Sequence, residues 1–163
     1  MKTEDKTFAT MILAAGKGTR MKSDLVKVLH PVAGRPMLDY VLSLAEQMGS
    51  SRIAVIIGHQ AELVEARYAN RGLTFVYQRE QLGTGHAVLQ AAEAFKGYRG
   101  TILILCGDVP LLKATTIREL MDSHRASGAA ITVLTTLLED PFGYGRVVKD
   151  AEGNVLGIVE HRD

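Results

Sequence analysis

Glycines and cations follow the first apolar run of the chain at a spacing suited to holding a phosphate group. Residues 13–21 (LAAGKGTRM) come at the end of the apolar residues 8–13, and Lys27 follows closely. Glycines let backbone N–H groups approach an anion, and Lys17 and Arg20 add positive charge. The cluster predicts a phosphate site, and a solvated basic loop is the alternative interpretation.

Two familiar phosphate loops do not match this segment. The dinucleotide-binding fingerprint needs a third glycine where Met21 stands, and an acidic end to the next strand, where the chain has Gly58 and His59. The Walker loop needs a longer spacer between its glycines than the one residue that separates Gly16 from Gly18. The segment therefore predicts a phosphate loop of neither type.

A carboxylate stands at the end of another apolar run. Asp108 follows residues 101–105 and precedes Pro110. Open α/β sheets bind ligands at the carboxyl ends of their strands, where Asp108 can meet the phosphate loop. A nucleotide brings Mg²⁺, which favours one or two carboxylates together with phosphate oxygens and waters. Asp108 is therefore a candidate Mg²⁺ ligand, and an aspartate that caps a turn is the alternative.

Amide side chains and glycines follow the third apolar run. Gln78 and Gln81 each carry a donor and an acceptor, which reading the edge of a nucleotide base requires. Gly83 and Gly85 let backbone groups approach a planar ring where a helix begins. The segment predicts a base-binding loop, and a plain glycine turn is the alternative. His86 is interpreted as a packing residue at the start of the helix.

Apolar runs alternate with helical patterns along the chain. Runs rich in Val, Ile and Thr predict strands over residues 8–13, 52–57, 73–77, 101–105, 130–137 and 155–159. Helices are predicted from Pro36 to a stop at Gly49, over 61–69 and 85–95, and from a cap at Thr115 or Thr116 to Gly128. This alternation predicts an α/β fold of Rossmann-like type, with a mostly parallel sheet flanked by helices. Val147 and Val148, a turn at 150–153 and the last run predict a C-terminal β-hairpin.

Composition excludes several classes of protein. The 163 residues carry 19 Lys and Arg against 18 Asp and Glu, so a generally basic nucleic-acid binder is not expected. Cys106 is the single cysteine, which excludes a disulfide scaffold and fits a reducing compartment. No apolar run approaches the roughly 20 residues that span a bilayer. We expect a cytoplasmic protein without a signal peptide, bound neither to nucleic acid nor to a membrane.

Motifs in order along the chain carry a family resemblance. Residues 13–21 and 23–30 resemble the signature of the sugar-nucleotide pyrophosphorylases, which are sugar nucleotidyltransferases. The further motifs are residues 81–87 (QLGTGHA), 107–111 (GDVPL), 143–147 (GYGRV) and 157–161 (GIVEH). Together they resemble the N-terminal domain of the bacterial bifunctional enzymes that are both N-acetylglucosamine-1-phosphate uridylyltransferases and glucosamine-1-phosphate N-acetyltransferases.

The resemblance implies an activity and a set of site residues. The phosphate of N-acetylglucosamine-1-phosphate attacks the α-phosphorus of UTP, and UDP-N-acetylglucosamine forms for peptidoglycan and lipopolysaccharide synthesis. Arg20 and Lys17 stabilise the leaving pyrophosphate, Lys27 holds the sugar phosphate or the α-phosphate, and Asp108 binds the cofactor Mg²⁺. The implied nucleotide-binding residues are Leu13, Ala14, Ala15, Gly16, Gln78, Gln81, Gly83 and Thr84, and the implied sugar-binding residues are Thr84, Gly145 and Glu160.

The chain departs from the family pattern in sequence and in length. Val26 stands where the family usually has Pro, so the loop before Lys27 is expected to be less rigid, and Cys106 stands where Tyr is frequent. We expect residues 1–163 to be the N-terminal part of the pyrophosphorylase domain. A sugar-side Asn, a second metal-binding Asn and the acetyltransferase β-helix, through which the parent enzyme would oligomerise, are expected to be missing. A relative with another base or sugar, or a nucleotide-binding fragment without catalysis, is the alternative function.

Overall fold

The computed structural model describes residues 7–18 and 21–159, and these divide into two compact units after Thr116. Strands and helices alternate in the first unit. Its elements are β1 (Phe8–Ala14), β2 (Pro31–Val32), β3 (Arg35–Pro36), α1 (Met37–Gln47), β4 (Ile53–Ile57), α2 (Ala61–Tyr68), β5 (Thr74–Tyr77), α3 (Thr84–Gln90) and β6 (Thr101–Cys106).

Four parallel strands form the main sheet of this unit, in the order β5-β4-β1-β6. β4 is buried along its whole length, which indicates that protein covers both faces of the sheet there. Met11 and Ile56 pack with Ala87 of α3 on one face. The alternate residues Ile12 and Val55 are buried on the opposite face. The predicted α/β fold with a mostly parallel sheet flanked by helices is therefore confirmed.

The helix predicted between Pro36 and Gly49 is present as α1. Pro36 precedes the first helical residue with a φ of −51°, within the range that its ring permits. Leu38 and Leu42, which lie one helical turn apart, are fully buried. The chain leaves the helix at Gly49, where a φ of +77° favours glycine.

The strand predicted over residues 101–105 is present as β6, but its burial is one-sided. Leu103 and Leu105 are buried, whereas Ile102 and Ile104 are exposed. In the main sheet β6 pairs with β1 alone, so it is an edge strand whose alternate side chains face opposite sides of the sheet. The strand prediction is therefore confirmed, with burial on one face only.

The second unit contains the predicted hairpin. α4 (Ala114–Ser127) precedes it in the chain, and the antiparallel strands β7 (Arg146–Lys149) and β8 (Val155–Val159) form it. The Asp150 carboxylate accepts a hydrogen bond from the Asn154 N–H over 2.7 Å across the turn. Gly153 has a φ of +89°, which explains the glycine at this turn.

Three boundary or strand predictions need correction. Residues 130–137 form no strand, because in the second unit they have neither a paired strand nor packing, and Leu137 is fully exposed. α4 begins at Ala114, so Thr115 and Thr116 lie inside the helix and cannot be its cap. The helix predicted over 85–95 is divided, since α3 ends at Gln90 and a separate 3₁₀ turn covers Glu93–Phe95.

The carboxyl ends of the four parallel strands lie at one edge of the main sheet. Leu13 pairs with Cys106, Ala14 with Ile57, and Ile57 with Tyr77. The loops that follow β1, β4, β5 and β6 therefore start side by side.

In the described part of the chain, no helix is long and apolar enough to cross a bilayer.

Candidate active site

A cavity of about 300 Å³ lies at this edge, between the loop after β1 and the loop after β6. Its wall includes Gly16 and Gly18 of the predicted phosphate loop, together with Lys27 and Asp108. The structure thus brings together the glycines, one of the cations and the carboxylate that the sequence predicted at a phosphate site.

Lys27 and Asp108 form an ion pair inside this cavity. The Lys27 ammonium donates a hydrogen bond to Asp108 Oδ2 over 2.5 Å, and both side chains are about one-third exposed. Lys27 lies in a 3₁₀ turn and Asp108 follows β6, so the fold joins residues that are far apart in sequence. A paired cation and carboxylate at a cavity wall suit a ligand that carries phosphate and a divalent metal.

Glycines let the loops of this cavity approach closely. The Gly107 N–H donates to the Leu13 carbonyl over 2.9 Å, and a Cβ on Gly107 would lie 3.1 Å from that oxygen. Gly18 has a φ of +64°, and a Cβ there would lie 2.7 Å from Cβ of Lys27. Gly18 therefore serves both the loop conformation and the position of Lys27.

A second cavity, of about 230 Å³, adjoins the first. The two cavities share Leu13, Gly16 and Thr84 in their walls. Ala15, Gln78, Gln81 and Gly83 line the second cavity but not the first. The predicted phosphate residues and the predicted base residues thus lie on two connected parts of one surface.

Gln78 is the buried polar residue of the second cavity. Its backbone N–H donates to the Ile57 carbonyl over 2.8 Å, which continues the pairing of β5 with β4. Its side-chain amide donates to the Gly83 carbonyl over 3.1 Å and lies 3.0 Å from Nδ1 of His86. These contacts hold the amide in one position, as recognition of a planar ligand requires.

Two supporting residues were not singled out from the sequence. Gln60, at a φ of +51°, accepts a hydrogen bond from the Val26 N–H over 2.8 Å and donates to the Asp24 carbonyl over 2.6 Å. It therefore binds the loop that leads to Lys27. A proline at position 26 would lack this N–H. Gly58 is the second of these residues. It lets the loop after β4 approach the backbone of Gln78, since a Cβ there would lie 2.9 Å from the Gln78 carbonyl oxygen.

Sequence reasoning missed Gln60 because its partners are distant in the chain. The one available signal was a polar side chain in the loop that follows a buried strand, at the edge where the other site residues lie.

Cys106 lines the first cavity beside Asp108. The residue is exposed at the cavity wall, but protein atoms around the sulfur limit its hydration. This burial raises the pKa of the Cys106 thiol, the Asp108 carboxylate raises it further, and Lys27 opposes both effects. The thiol is therefore a neutral part of the wall and a weak nucleophile at neutral pH.

The remaining predicted residues lie outside these cavities or outside the described residues. Lys17 is exposed and contributes to the wall of neither cavity. Gly145 directly precedes β7 in the second unit. Arg20 and Glu160 lie outside the described residues. Their implied contacts with substrate stay predictions.

Asp108 fits the donor set of a nucleotide-bound Mg²⁺. Among residues 7–18 and 21–159, no cluster of three His, Cys, Asp or Glu side chains could form an all-protein metal site. Mg²⁺ does not need one, because it takes one or two carboxylates and completes its octahedron with phosphate oxygens and waters. One carboxylate on the wall of the phosphate cavity meets that requirement.

The fold and the position of its cavities define a class of protein, the α/β domains that bind nucleotides at the carboxyl edge of a parallel sheet. Residues 10–152 match the model of the MobA-like NTP transferase domain, and the chain belongs to this family. The nucleotidyltransferase class predicted from the motifs is confirmed by this match.

A curated relative is similar to this chain over almost the whole of its length. The chain is 55% identical over 157 residues to the bifunctional protein GlmU of Geobacter metallireducens, a match that covers 96% of this chain and 33% of that protein. The chain thus spans about a third of the length of this curated relative.

Two solved structures are similar in fold. HddC from Yersinia pseudotuberculosis, complexed with GMP-PN, aligns with a TM-score of 0.67 at 22% identity, over 94% of this chain and 69% of that one. Rv0371c from Mycobacterium tuberculosis, complexed with manganese, aligns with a TM-score of 0.59 at 27% identity, over 74% of this chain and 60% of that one.

Proposed function

We propose that this domain transfers the uridylyl group of UTP to N-acetylglucosamine-1-phosphate, with release of pyrophosphate. The product, UDP-N-acetylglucosamine, supplies peptidoglycan and lipopolysaccharide synthesis. The observation that carries the proposal is the junction of the two cavities at Leu13, Gly16 and Thr84. A cation and a carboxylate lie on one side of this junction and a buried amide on the other, in keeping with a triphosphate joined to a base.

Charge stabilisation is the main task of the protein in this reaction. An oxygen of the sugar phosphate bonds to the α-phosphorus of UTP, while the bond from that phosphorus to the β-phosphate oxygen breaks. Lys27 holds the sugar phosphate or the α-phosphate. Lys17 and Arg20 stabilise the leaving pyrophosphate. Backbone N–H groups of the loop that contains Gly16 and Gly18 bind phosphate oxygens without adding charge.

Asp108 holds Mg²⁺, which supplies positive charge next to the phosphates when it is bound. The structure of Rv0371c is a manganese complex, which supports the use of a divalent cation by a domain of this fold. Lys27 is the present partner of Asp108, so its ammonium would either share the carboxylate with a bound metal or turn toward the phosphate.

The remaining assignments concern the base and the sugar. Gln78, Gln81 and Gly83, with the backbone of residues 13–16, hold uracil, and Thr84, Gly145 and Glu160 contact N-acetylglucosamine. The 55% identity to a protein named bifunctional supports the proposed activity, because the enzymes that the motifs resemble combine two activities. We further propose a cytoplasmic enzyme, of which residues 1–163 are the N-terminal part of the pyrophosphorylase domain.

The proposal is tested by pyrophosphate release from the 163-residue chain with UTP, N-acetylglucosamine-1-phosphate and Mg²⁺. We expect release only when all three are present, and UDP-N-acetylglucosamine as the product by mass spectrometry. Lys27→Ala should lower the rate of release. Lys96→Ala is the matched control, because Lys96 is an exposed lysine that pairs with Glu93 and lines neither cavity. Faster turnover with another sugar phosphate would change the substrate assignment, and UTP binding without release would leave a nucleotide-binding module.

A further inference from the structure

We propose that His86, together with Gln90, sets the orientation of the Gln78 amide and thereby makes the base site selective for uracil over cytosine. The inference rests on the proposed function, in which Gln78 faces the base. It assigns to His86 a positioning role rather than a catalytic one, and it goes beyond the interpretation of His86 as a packing residue.

A chain of polar contacts connects the three side chains. The Gln78 amide nitrogen donates to the Gly83 carbonyl over 3.1 Å and lies 3.0 Å from Nδ1 of His86. On the other side of the ring, the Gln90 amide nitrogen lies 3.0 Å from Nε2 of His86. Gln78 is buried, His86 is half-buried, and Gln90 is exposed, so the contacts extend from the base cavity to the surface.

The Gly83 carbonyl determines the direction of the hydrogen bonds that Gln78 makes. The Gly83 carbonyl only accepts, so the Gln78 atom beside it is the amide nitrogen. That nitrogen also faces Nδ1 of His86, which must therefore be the unprotonated, accepting nitrogen of a neutral ring. The ring proton is then on Nε2. The Gln90 nitrogen beside it is a donor, so the exposed Gln90 amide must rotate by half a turn for its oxygen to accept this proton.

Both hydrogens of the Gln78 amide are used in this arrangement. Its oxygen has no partner among the described residues and is the group left to meet a base. Uracil presents a protonated ring nitrogen, N3–H, that can donate to this oxygen. Cytosine presents an unprotonated N3 whose lone pair would face it, which leaves buried acceptors unpaired.

A glutamine amide that can rotate by half a turn would serve either base, since its nitrogen would then donate to N3 of cytosine. The Gly83 carbonyl opposes this rotation, because it would face the amide oxygen. His86 opposes it a second time through Nδ1. With its amide rotated so that the oxygen accepts from Nε2, Gln90 keeps the ring proton on that nitrogen and so preserves the acceptor that Gln78 needs.

The sharpest test is a pair of shape-matched variants. His86→Asn keeps an acceptor near the position of Nδ1, whereas His86→Leu has a similar shape and no acceptor. Calorimetric titration of the 163-residue chain with UTP and with CTP gives the dissociation constant of each nucleotide. The ratio of the constant for CTP to the constant for UTP measures the selectivity for uracil. We expect His86→Leu to reduce this ratio by about fivefold to tenfold, as the loss of one hydrogen bond predicts, and His86→Asn to retain most of it.

The tautomer of His86 gives a readout that needs no nucleotide. In ¹⁵N NMR spectra of the free chain, we expect the proton on Nε2 and none on Nδ1, with the signal assigned through its loss in His86→Asn. A proton on Nδ1 would overturn the inference, because that atom could not accept from Gln78.

The outcomes separate this inference from the proposed function. If Gln78→Ala removes the preference for UTP while His86→Leu leaves it unchanged, Gln78 reads the base without His86, and only the inference fails. If the unmutated chain binds CTP as tightly as UTP, the uridylyl assignment fails and takes the inference with it.

Discussion

Replacement of Gly18 by Ala should disable the phosphate cavity through Lys27. Gly18 has a φ of +64°, a conformation that costs an L-residue roughly 1–2 kcal/mol. The added Cβ would also lie 2.7 Å from Cβ of Lys27, too close for two carbon atoms, and that carbon is attached to the backbone and cannot rotate away. Lys27 must therefore shift, and its 2.5 Å contact with Asp108 shifts with it.

The chain provides a matched control for this change. Gly72 has a φ of +67°, but a Cβ there meets nothing within 4 Å, so Gly72→Ala carries the backbone cost without the collision. Urea unfolding should show a loss of about 1–2 kcal/mol for Gly72→Ala and a larger loss for Gly18→Ala. In pyrophosphate release, Gly18→Ala should lower kcat by something like 10²-fold, as misplacement by about 1 Å can do, and Gly72→Ala should leave it unchanged. Equal kcat values for the two variants would refute the placement of Lys27 against the phosphate loop.

Further predictions concern the metal, the thiol and a buried tyrosine. Asp108→Asn should weaken Mn²⁺ binding in the presence of UTP by at least about 10–100-fold in calorimetry. The free energy of unfolding should change by no more than about 1 kcal/mol, because the ion pair between Lys27 and Asp108 is partly exposed. Alkylation of Cys106 by iodoacetamide at pH 8 should be slower in the folded chain than in urea, and faster in Asp108→Asn than in the unmutated chain, since the carboxylate helps raise the pKa of the thiol. Burial, with Asp39 beside it, raises the pKa of Tyr68 to about 12 from its ordinary 10.0. The stability that depends on neutral Tyr68 is therefore present below pH 10 and lost as the pH rises toward 12, so Tyr68→Phe should flatten this fall in urea unfolding by on the order of 1 kcal/mol.

Local sequence patterns place the main site residues of the first unit because its chemistry follows its strands. Parallel strands end on the same side of a sheet, so the residues that follow them can be placed at one edge. These are the glycine-rich loop after β1, Gln78 after β5 and Asp108 after β6. The Lys27–Asp108 pair follows from this placement.

Other features depend on long-range contacts that no local pattern reveals. Residues 130–137 have the composition of a strand, but a strand needs a neighbour and a packed face, and this run has neither in the second unit. Gln60 and His86 acquire their roles from partners that the fold brings to them. Exposure on one face of β6 likewise depends on what packs against the sheet, since the exposed Ile102 and Ile104 alternate with the buried Leu103 and Leu105.

The ratio of kcat/KM for UTP to that for CTP, with N-acetylglucosamine-1-phosphate as the acceptor, most directly tests the proposal that the domain reads uracil and transfers the uridylyl group. A site built on paired hydrogen bonds should favour UTP by roughly 10²-fold or more. Gln78→Ala should narrow this ratio, whereas Lys27→Ala should lower both values equally, because a phosphate contact does not distinguish the bases. Use of CTP or GTP as readily as UTP by the unmutated chain would contradict the claim and leave nucleotidyl transfer alone.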